Sequence, residues 1–523
     1  MFIRIGTPAL RTQTRPGVLT SLTPTLRRIA ADDPDRPAIV GRDAHLTYGE
    51  LHTESRRISA ALRGMLASIP STSGADGHST HPPIVGICLS AAFDTARAVV
   101  AVEAGDRILT VVDAQWPVAL QMQSIVTSGM AAIITDVPHL RHALRASGWP
   151  GLVFDLADLL DDGSSAPEAP TDDAPTDGPP IDTPFLLLTS SGTTGAPKAF
   201  LKTQAQYAAN IEVSREHLGA HDGVATFAPG PMSYSLTLYT LFEVIATGGQ
   251  LHVADSLDEL WLTSRVHDER ITRLVTIPAA VTTLVDAALR HPGRYDGIEL
   301  IVTGGAALSA STRADVAEAL PHARSIGYFG TGELGFIGDD RAGDEAIRLY
   351  PQVEACVRGD DGDDLAPGEL GSLWVRSPSC STDYLPKTST TSLTDADGWA
   401  SVHDQGRLRG RDFTFVGRRG DVVTTGGHTL ALDDVERAFD GMPGLSACCA
   451  ITESDERLGT RIALVVEGVA PPAAELRRWA KQHLASASVP RRWYALSELP
   501  RTSGGKIRRA AVADLVALGK ERA

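Results

Sequence analysis

At 523 residues the chain is too long for one hydrophobic core, so it divides into two or more domains. A hydrophobic content of 43% and a charged content of 21% describe an ordinary globular protein, and the net charge of −16 works against non-specific binding to nucleic acid or to an anionic membrane. No apolar run approaches the roughly 18 residues of a membrane span, and five cysteines without a C-x-x-C pair fit a reducing cytoplasm rather than a disulfide framework.

The first 31 residues carry five arginines and no acid, and they read as a mobile N-terminal extension of a cytoplasmic protein rather than a transit peptide. Leu46-Thr-Tyr-Gly-Glu-Leu51 opens a helical pattern, with Leu51, Ile58, Leu62 and Leu66 on one face. Residues 68–83, rich in Ser, Gly, His and Pro, form a loop. Strands at 84–89, 107–112 and 131–135 alternate with helices at 91–104 and 119–128. That alternation means a mostly parallel sheet covered on both faces, an α/β fold. Residues 161–182 are dominated by Asp, Pro, Ser, Ala and Thr and read as a disordered linker or surface loop.

The apolar run Phe185-Leu-Leu-Leu188 reads as a buried strand. It leads into Thr189-Ser-Ser-Gly-Thr-Thr-Gly195, where five of seven residues are Ser or Thr and the others are Gly192 and Gly195. A hydroxyl-rich glycine turn at a strand end surrounds an empty space with N–H and O–H donors, as a polyphosphate requires. Lys198 adds a point charge. Pro197 before it, and the lack of Ser or Thr after it, separate this stretch from a Walker A loop.

A helix at 203–218 follows, then a turn at 228–235 and an apolar helix at 236–245. Strands at 251–253, 274–276 and 300–303 continue the rhythm. Glycine-rich turns are expected at Gly304-Gly-Ala306 and at Tyr328-Phe-Gly-Thr-Gly-Glu333, and such turns beyond strand ends share one pocket. From Gly368 the pattern becomes β-rich. A smaller α+β unit closes the chain, with helices at 433–439 and 474–484 and strands near 447–451 and 461–466. Its tail contains Ser503-Gly-Gly-Lys506. The hinge is placed at 417–421, between a domain of residues 1–417 and one of residues 421–523. Only six of the 48 basic residues are lysines, and two of them, Lys198 and Lys506, sit in glycine-rich turns. A compact ammonium on a flexible stem suits phosphate chemistry there.

Taken in order, these stretches resemble the adenylate-forming superfamily of acyl- and aryl-CoA synthetases, peptide-synthetase adenylation domains and luciferases. The resemblance covers nearly the whole chain, from Leu46 to Lys506. It implies a large N-terminal domain of layered βα subdomains with a β-rich subdomain, and a small mobile C-terminal lid. It also implies ATP, Mg²⁺ and a small carboxylic acid. The acid attacks the α-phosphate, pyrophosphate leaves, and a thiol of CoA or phosphopantetheine takes the acyl group. On this resemblance Ser190, Ser191, Gly192, Thr193, Thr194, Gly195 and Lys198 hold the β- and γ-phosphates. Glu333 holds Mg²⁺ with Thr331 nearby. Lys506 bridges the carboxylate and the α-phosphate. Asp404 and Arg418 bind ribose, and Gly304, Gly305, Ala306, Tyr328, Phe329 and Gly330 surround adenine. Tyr234, Ser235, Leu238 and Gly305 form the acid pocket, and Gly426 and Gly427 line the thiol tunnel.

Four positions depart from the superfamily pattern. Gly332 replaces the Thr before the metal-binding Glu, Val402-His403 replaces Thr-Gly before Asp404, Gly420 stands at the hinge, and Ala199 follows Lys198. The stretch Pro231-Met-Ser-Tyr-Ser-Leu-Thr-Leu238 holds no acid to pair an ammonium, which disfavours α-amino acids. A short or medium acyl chain or an aryl acid fits. The acceptor remains CoA, a separate carrier protein or an amine, the assembly a monomer or a homodimer, and a non-catalytic nucleotide-binding paralogue stays as an alternative. No G-x-S-x-G elbow is present, and the pairs His78/His81 and His139/His142 lack companion metal ligands.

Overall fold

The computed structural model describes residues 22–67, 81–104, 106–161, 181–190, 198–341, 343, 346–359, 361–386, 388–389, 391–418, 421–425, 428–455, 459–484, 488–502 and 505–519. Two larger sheets form the main body. Among the described residues one has six strands, in the order 152–154, 132–135, 84–88, 108–111, 184–190, 198–203. All neighbours are parallel except the last pair, where Ser190 stands opposite Lys198. The strand Ile84–Cys88 is buried at every position, as a strand covered on both faces must be.

The second sheet has 13 strands among the described residues. Its parallel half runs through 37–40, 250–253, 225–228, 273–276, 300–303 and 324–331. Beyond Arg324–Thr331 it turns antiparallel, through 335–340, 346–349, 412–418, 404–409, 370–376 and 354–358. The β-rich segment therefore continues the sheet instead of forming one of its own. The helix Ser235–Thr247 lies buried in the main core on almost all of its faces. That explains its uniformly apolar sequence, and its one carboxylate, Glu243, pairs with the buried Arg273 at 2.7 Å.

The small unit holds a sheet of Cys448–Asp455, Gly459–Glu467 and Arg492–Leu496. Alternation along its central strand sends Leu464 and Val466 to one helix layer, with Leu432, Val435 and Leu476, and Ala463 and Val465 to the other, with Val512. Arg509 joins Asp421, at 2.9 Å, to Asp433 and Glu436. The start of the unit is thereby fastened to its last helix.

Two sequence expectations change, and two helices are added. The supposed N-terminal extension contains a helix, Leu22–Asp32, whose Leu22, Leu26 and Ile29 are buried in the main core. Its apolar residues at i, i+4 and i+7 carry that packing despite the arginines. Residues 328–331 are strand, and the turn is confined to 332–334 between two antiparallel strands. Helices at Pro278–Arg290 and Ala310–Ala319, unforeseen in the sequence, cover the sheet beside 273–276 and 300–303. No helix among the described residues is long and apolar enough to cross a membrane.

Candidate active site

A cleft of about 480 Å³ opens between the two sheets and the small unit. It lies within the usual size range of ligand sites. Of the residues expected from sequence, Lys198, Tyr234, Ser235, Leu238, Gly305, Tyr328, Gly330, Thr331, Glu333, Arg418 and Lys506 line it. Gly304, Ala306, Phe329 and Asp404 lie outside its lining. Ser191–Gly195, Gly420, Gly426 and Gly427 fall outside the described residues, as does most of the expected linker at 161–182.

Strand geometry explains the separation of Tyr328 from Phe329. Successive side chains point to opposite faces, so Tyr328 enters the cleft while Phe329 packs against Phe413 and Phe415, at ring centroids of 5.6 and 5.8 Å. The expected adenine neighbour Phe329 is thus set back from the cleft lining. Tyr328 lies edge-on to Phe336 at 4.7 Å. It also passes so close to Gly304 that a Cβ there would sit 2.2 Å from its ring. Gly305 has φ +87, and a Cβ on it would come within 2.8 Å of the Tyr234 hydroxyl. Its glycine identity therefore follows from both backbone and space. Tyr207, Tyr239 and Asn210 extend the aromatic end of the cleft. The Asn210 Oδ1 accepts from the Phe336 N–H at 3.1 Å.

At the polar end, Glu333 is buried in the hairpin turn, and Tyr384 donates its hydroxyl to Glu333 Oε1 at 3.3 Å. The Lys198 Nζ lies 4.9 Å from the Tyr384 ring and donates to Thr391 Oγ1 at 3.2 Å. The Thr331 Oγ1 accepts from the Leu334 N–H at 3.1 Å, closing the same turn. Thr331 thus holds its hydroxyl one position from Gly332. Gly332 lacks the room for a larger side chain, because a Cβ there would sit 2.9 Å from the Phe200 ring. Glu333 is the only acid among the described residues lining the cleft. A single carboxylate fits Mg²⁺, which binds through one or two carboxylates together with phosphate oxygens rather than in an all-protein cage.

Arg418 and Asp404 face each other across paired strands, with Nε to Oδ1 at 3.2 Å. Burial raises the Asp404 pKa, against the pull of Arg418 and Lys506. His403, next to it, lines the cleft with a left-handed backbone, φ 62, at the position where the superfamily pattern has glycine. Lys506 reaches over Gly305 from the small unit, its Nζ 3.8 Å from the site of a Cβ there. Desolvation and the Arg418 charge lower its pKa to about 8, against Asp404, Glu333 and Asp433. The turn that presents it is closed by Thr502 N–H to Lys506 O at 2.7 Å and Gly505 N–H to Thr502 O at 2.9 Å.

Sequence reasoning passed over Tyr384, Phe200 and Lys202, which surround Glu333. Lys202 is 1% exposed, and burial pushes its pKa down to about 8. The scarcity of lysine in the chain was the available signal for Lys202.

Comparison with known proteins places this geometry in context. The profile described as AMP-binding enzyme matches residues 26–385, and that described as AMP-binding enzyme C-terminal domain matches 434–506. An uncharacterized acyl–CoA ligase of Bacillus subtilis (strain 168), YhfT, is 26% identical over 94% of this chain and 98% of its own length. An indoleacetate–CoA ligase of Aromatoleum aromaticum is 26% identical over 64% of this chain and 68% of its own. The solved structure of o-succinylbenzoate CoA synthetase (MenE) from Bacillus subtilis, in complex with an acyl-adenylate intermediate, has the same fold. It superposes with a TM-score of 0.81 at 19% identity, covering 95% of this chain and 99% of that one.

Proposed function

Since this chain belongs to the AMP-binding enzyme family, we propose that it activates a carboxylic acid as an acyl-AMP, releases pyrophosphate, and passes the acyl group to the thiol of CoA. One observation carries the reading. Lys506, from the small unit, and Glu333, from the large one, meet at a cleft whose other described lining residues include aromatic side chains and no further acid. A cation from one unit and a metal-binding carboxylate from the other suit transfer at a polyphosphate, which depends on positioning and charge stabilisation.

In this reading Lys198, with residues 190–195, holds the leaving pyrophosphate. Glu333 holds Mg²⁺, which neutralises phosphate charge when bound. Asp404, tied to Arg418, receives the ribose hydroxyls. Lys506 steadies the charge that builds as the carboxylate approaches the α-phosphate. Tyr234, Tyr328, Leu238 and Phe336 enclose the acid's body, which favours an aryl or compact apolar acid. The indoleacetate specificity named for one relative agrees with that. Residues 421–523 then turn about 417–421, bringing Gly426 and Gly427 to the thiol's path.

The test is acid-dependent exchange of labelled pyrophosphate into ATP across a panel of aryl, short-chain and medium-chain acids, followed by thioester detection with CoA. Exchange with compact apolar or aryl acids, and a CoA thioester, are the expected results. Exchange without a CoA thioester would move the acceptor to a carrier protein or an amine.

A further inference from the structure

Lys202 lies inside the strand Lys198–Thr203, where an apolar residue would pack without losing water. A buried ammonium is costly unless its donors are used. No carboxylate forms an ion pair with it among the described residues, yet two of its three N–H donors are used. The Nζ donates to the carbonyl of Glu333 at 2.9 Å and to that of Ser379 at 2.7 Å. The face of Phe200 lies 6.0 Å away. The Glu333 carbonyl also accepts from the Ser381 N–H at 2.8 Å, and Ser379 Oγ donates to Leu334 O at 2.9 Å. Lys202 is therefore the charged centre of a lattice that joins the Glu333 turn to segment 377–381.

The same strand face shows why this lattice exists. Lys198, Phe200 and Lys202 share it by the two-residue period. Phe200 occupies the space beside Gly332, so the turn has no side chain of its own at that position to fix it.

We propose that Lys202 is a positioning residue for the metal-binding turn, a tethered cation between two carbonyls that holds the Glu333 carboxylate toward the cleft and replaces the anchor missing at Gly332. The proposal rests on the adenylation reading insofar as Glu333 is the Mg²⁺ ligand.

The test uses the full chain with K202M, which keeps length and removes charge, and K202A, which leaves a cavity for methylammonium. Isothermal calorimetry of ATP with and without Mg²⁺ is run beside the Mg²⁺ dependence of pyrophosphate exchange. Supporting neighbours of metal ligands change affinity about 10–100-fold. K202M is therefore expected to need roughly tenfold more Mg²⁺ for half-maximal exchange and to weaken ATP binding only when Mg²⁺ is present, with the acid's KM within about twofold of wild type. Methylammonium is expected to restore K202A and to leave wild type unchanged. An unaltered Mg²⁺ dependence, or an equal loss of ATP affinity with and without metal, would overturn the proposal. So would unfolding of both variants where wild type is folded, which would make Lys202 a stability residue only. A wild-type protein inactive in exchange would count against the adenylation reading, while calorimetry would still decide the role of Lys202.

Discussion

Single side chains decide how much of the superfamily pattern this cleft can keep. The sequence shows a glycine where a threonine is expected before Glu333, and by itself that looks like a lost contact. The structure gives the reason: the Phe200 ring fills the space that a side chain at 332 would need. Returning Thr to position 332 should therefore overpack the hairpin and destabilise the protein by about 1–3 kcal/mol. Because Phe200 is itself buried, G332T combined with F200A should cost less than the sum of the two single variants. Thermal denaturation of G332T, F200A and the double variant checks this, and a G332T protein as stable as wild type would show that Phe200 does not set the residue at 332. The Phe200–Gly332 pair was illegible in sequence because the residues are far apart in the chain, and nothing in either local pattern mentions the other. Lys506 and Glu333 were legible through the order of motifs along the chain rather than through either turn alone, and both line the cleft.

Elements were read well where their period was strong and poorly where two periods compete. The buried strand Ile84–Cys88 and the amphipathic helix Tyr48–Leu66 both follow from apolar spacing, and the helix carries a capping box from Thr47 to Glu50. Residues 324–331 were harder. Two glycines suggested a turn, but the strand continues because Gly330 meets its partner strand so closely that a Cβ would sit 2.3 Å from Gly335 O. Glycine there marks a close backbone approach at a bulge, not a chain reversal. Alternation along this strand sets Phe329, placed at adenine by the resemblance, back from the cleft lining and against Phe413 and Phe415. The helix Pro278–Arg290 had a usable signal in Pro278 at its first turn.

The turn before Lys506 makes a prediction at this scale. Gly505 has φ +77 and open space around it, its nearest neighbour Ile277 Cδ1 at 3.8 Å. Gly505→Ala therefore tests backbone conformation rather than packing. A left-handed alanine costs about 1–2 kcal/mol, which as a shift away from the poised turn lowers the exchange rate roughly tenfold. The ATP dissociation constant should stay unchanged. A full exchange rate in G505A would show that the turn does not position Lys506.

At the scale of the whole molecule, one cleft is lined by two units. The large unit supplies Glu333, Lys198 and the aromatic pocket, and the small unit supplies Lys506. The −16 charge limited partners but could not reveal this division. The order of motifs along the chain could, because Lys506 lies in a unit with its own core. A pH prediction follows from the joint site. In the proposed reaction Lys506 acts as the ammonium, and its pKa in the free protein is lowered to about 8. Raising pH through that value removes the charge, so kcat/KM for exchange should fall above about pH 8. Bound phosphates favour the ammonium, so the matching limb in kcat should lie at higher pH. Lys506→Arg should remove the limb along with most of the activity, since a guanidinium stays charged but cannot act as a compact point charge. A limb that persists in the arginine variant would assign it to another group.

In the proposed reaction Lys506, docked over Gly305, acts on the charge that develops when a carboxylate meets the α-phosphate. Acid-dependent pyrophosphate exchange in wild type and in Lys506→Ala, with ATP affinity measured on the same preparations, tests it most directly. The expected result is exchange in wild type with at least one compact apolar or aryl acid, its loss in the variant, and nearly equal ATP binding in both. Exchange at the wild-type rate in Lys506→Ala, or no exchange with any acid in the panel, would contradict it.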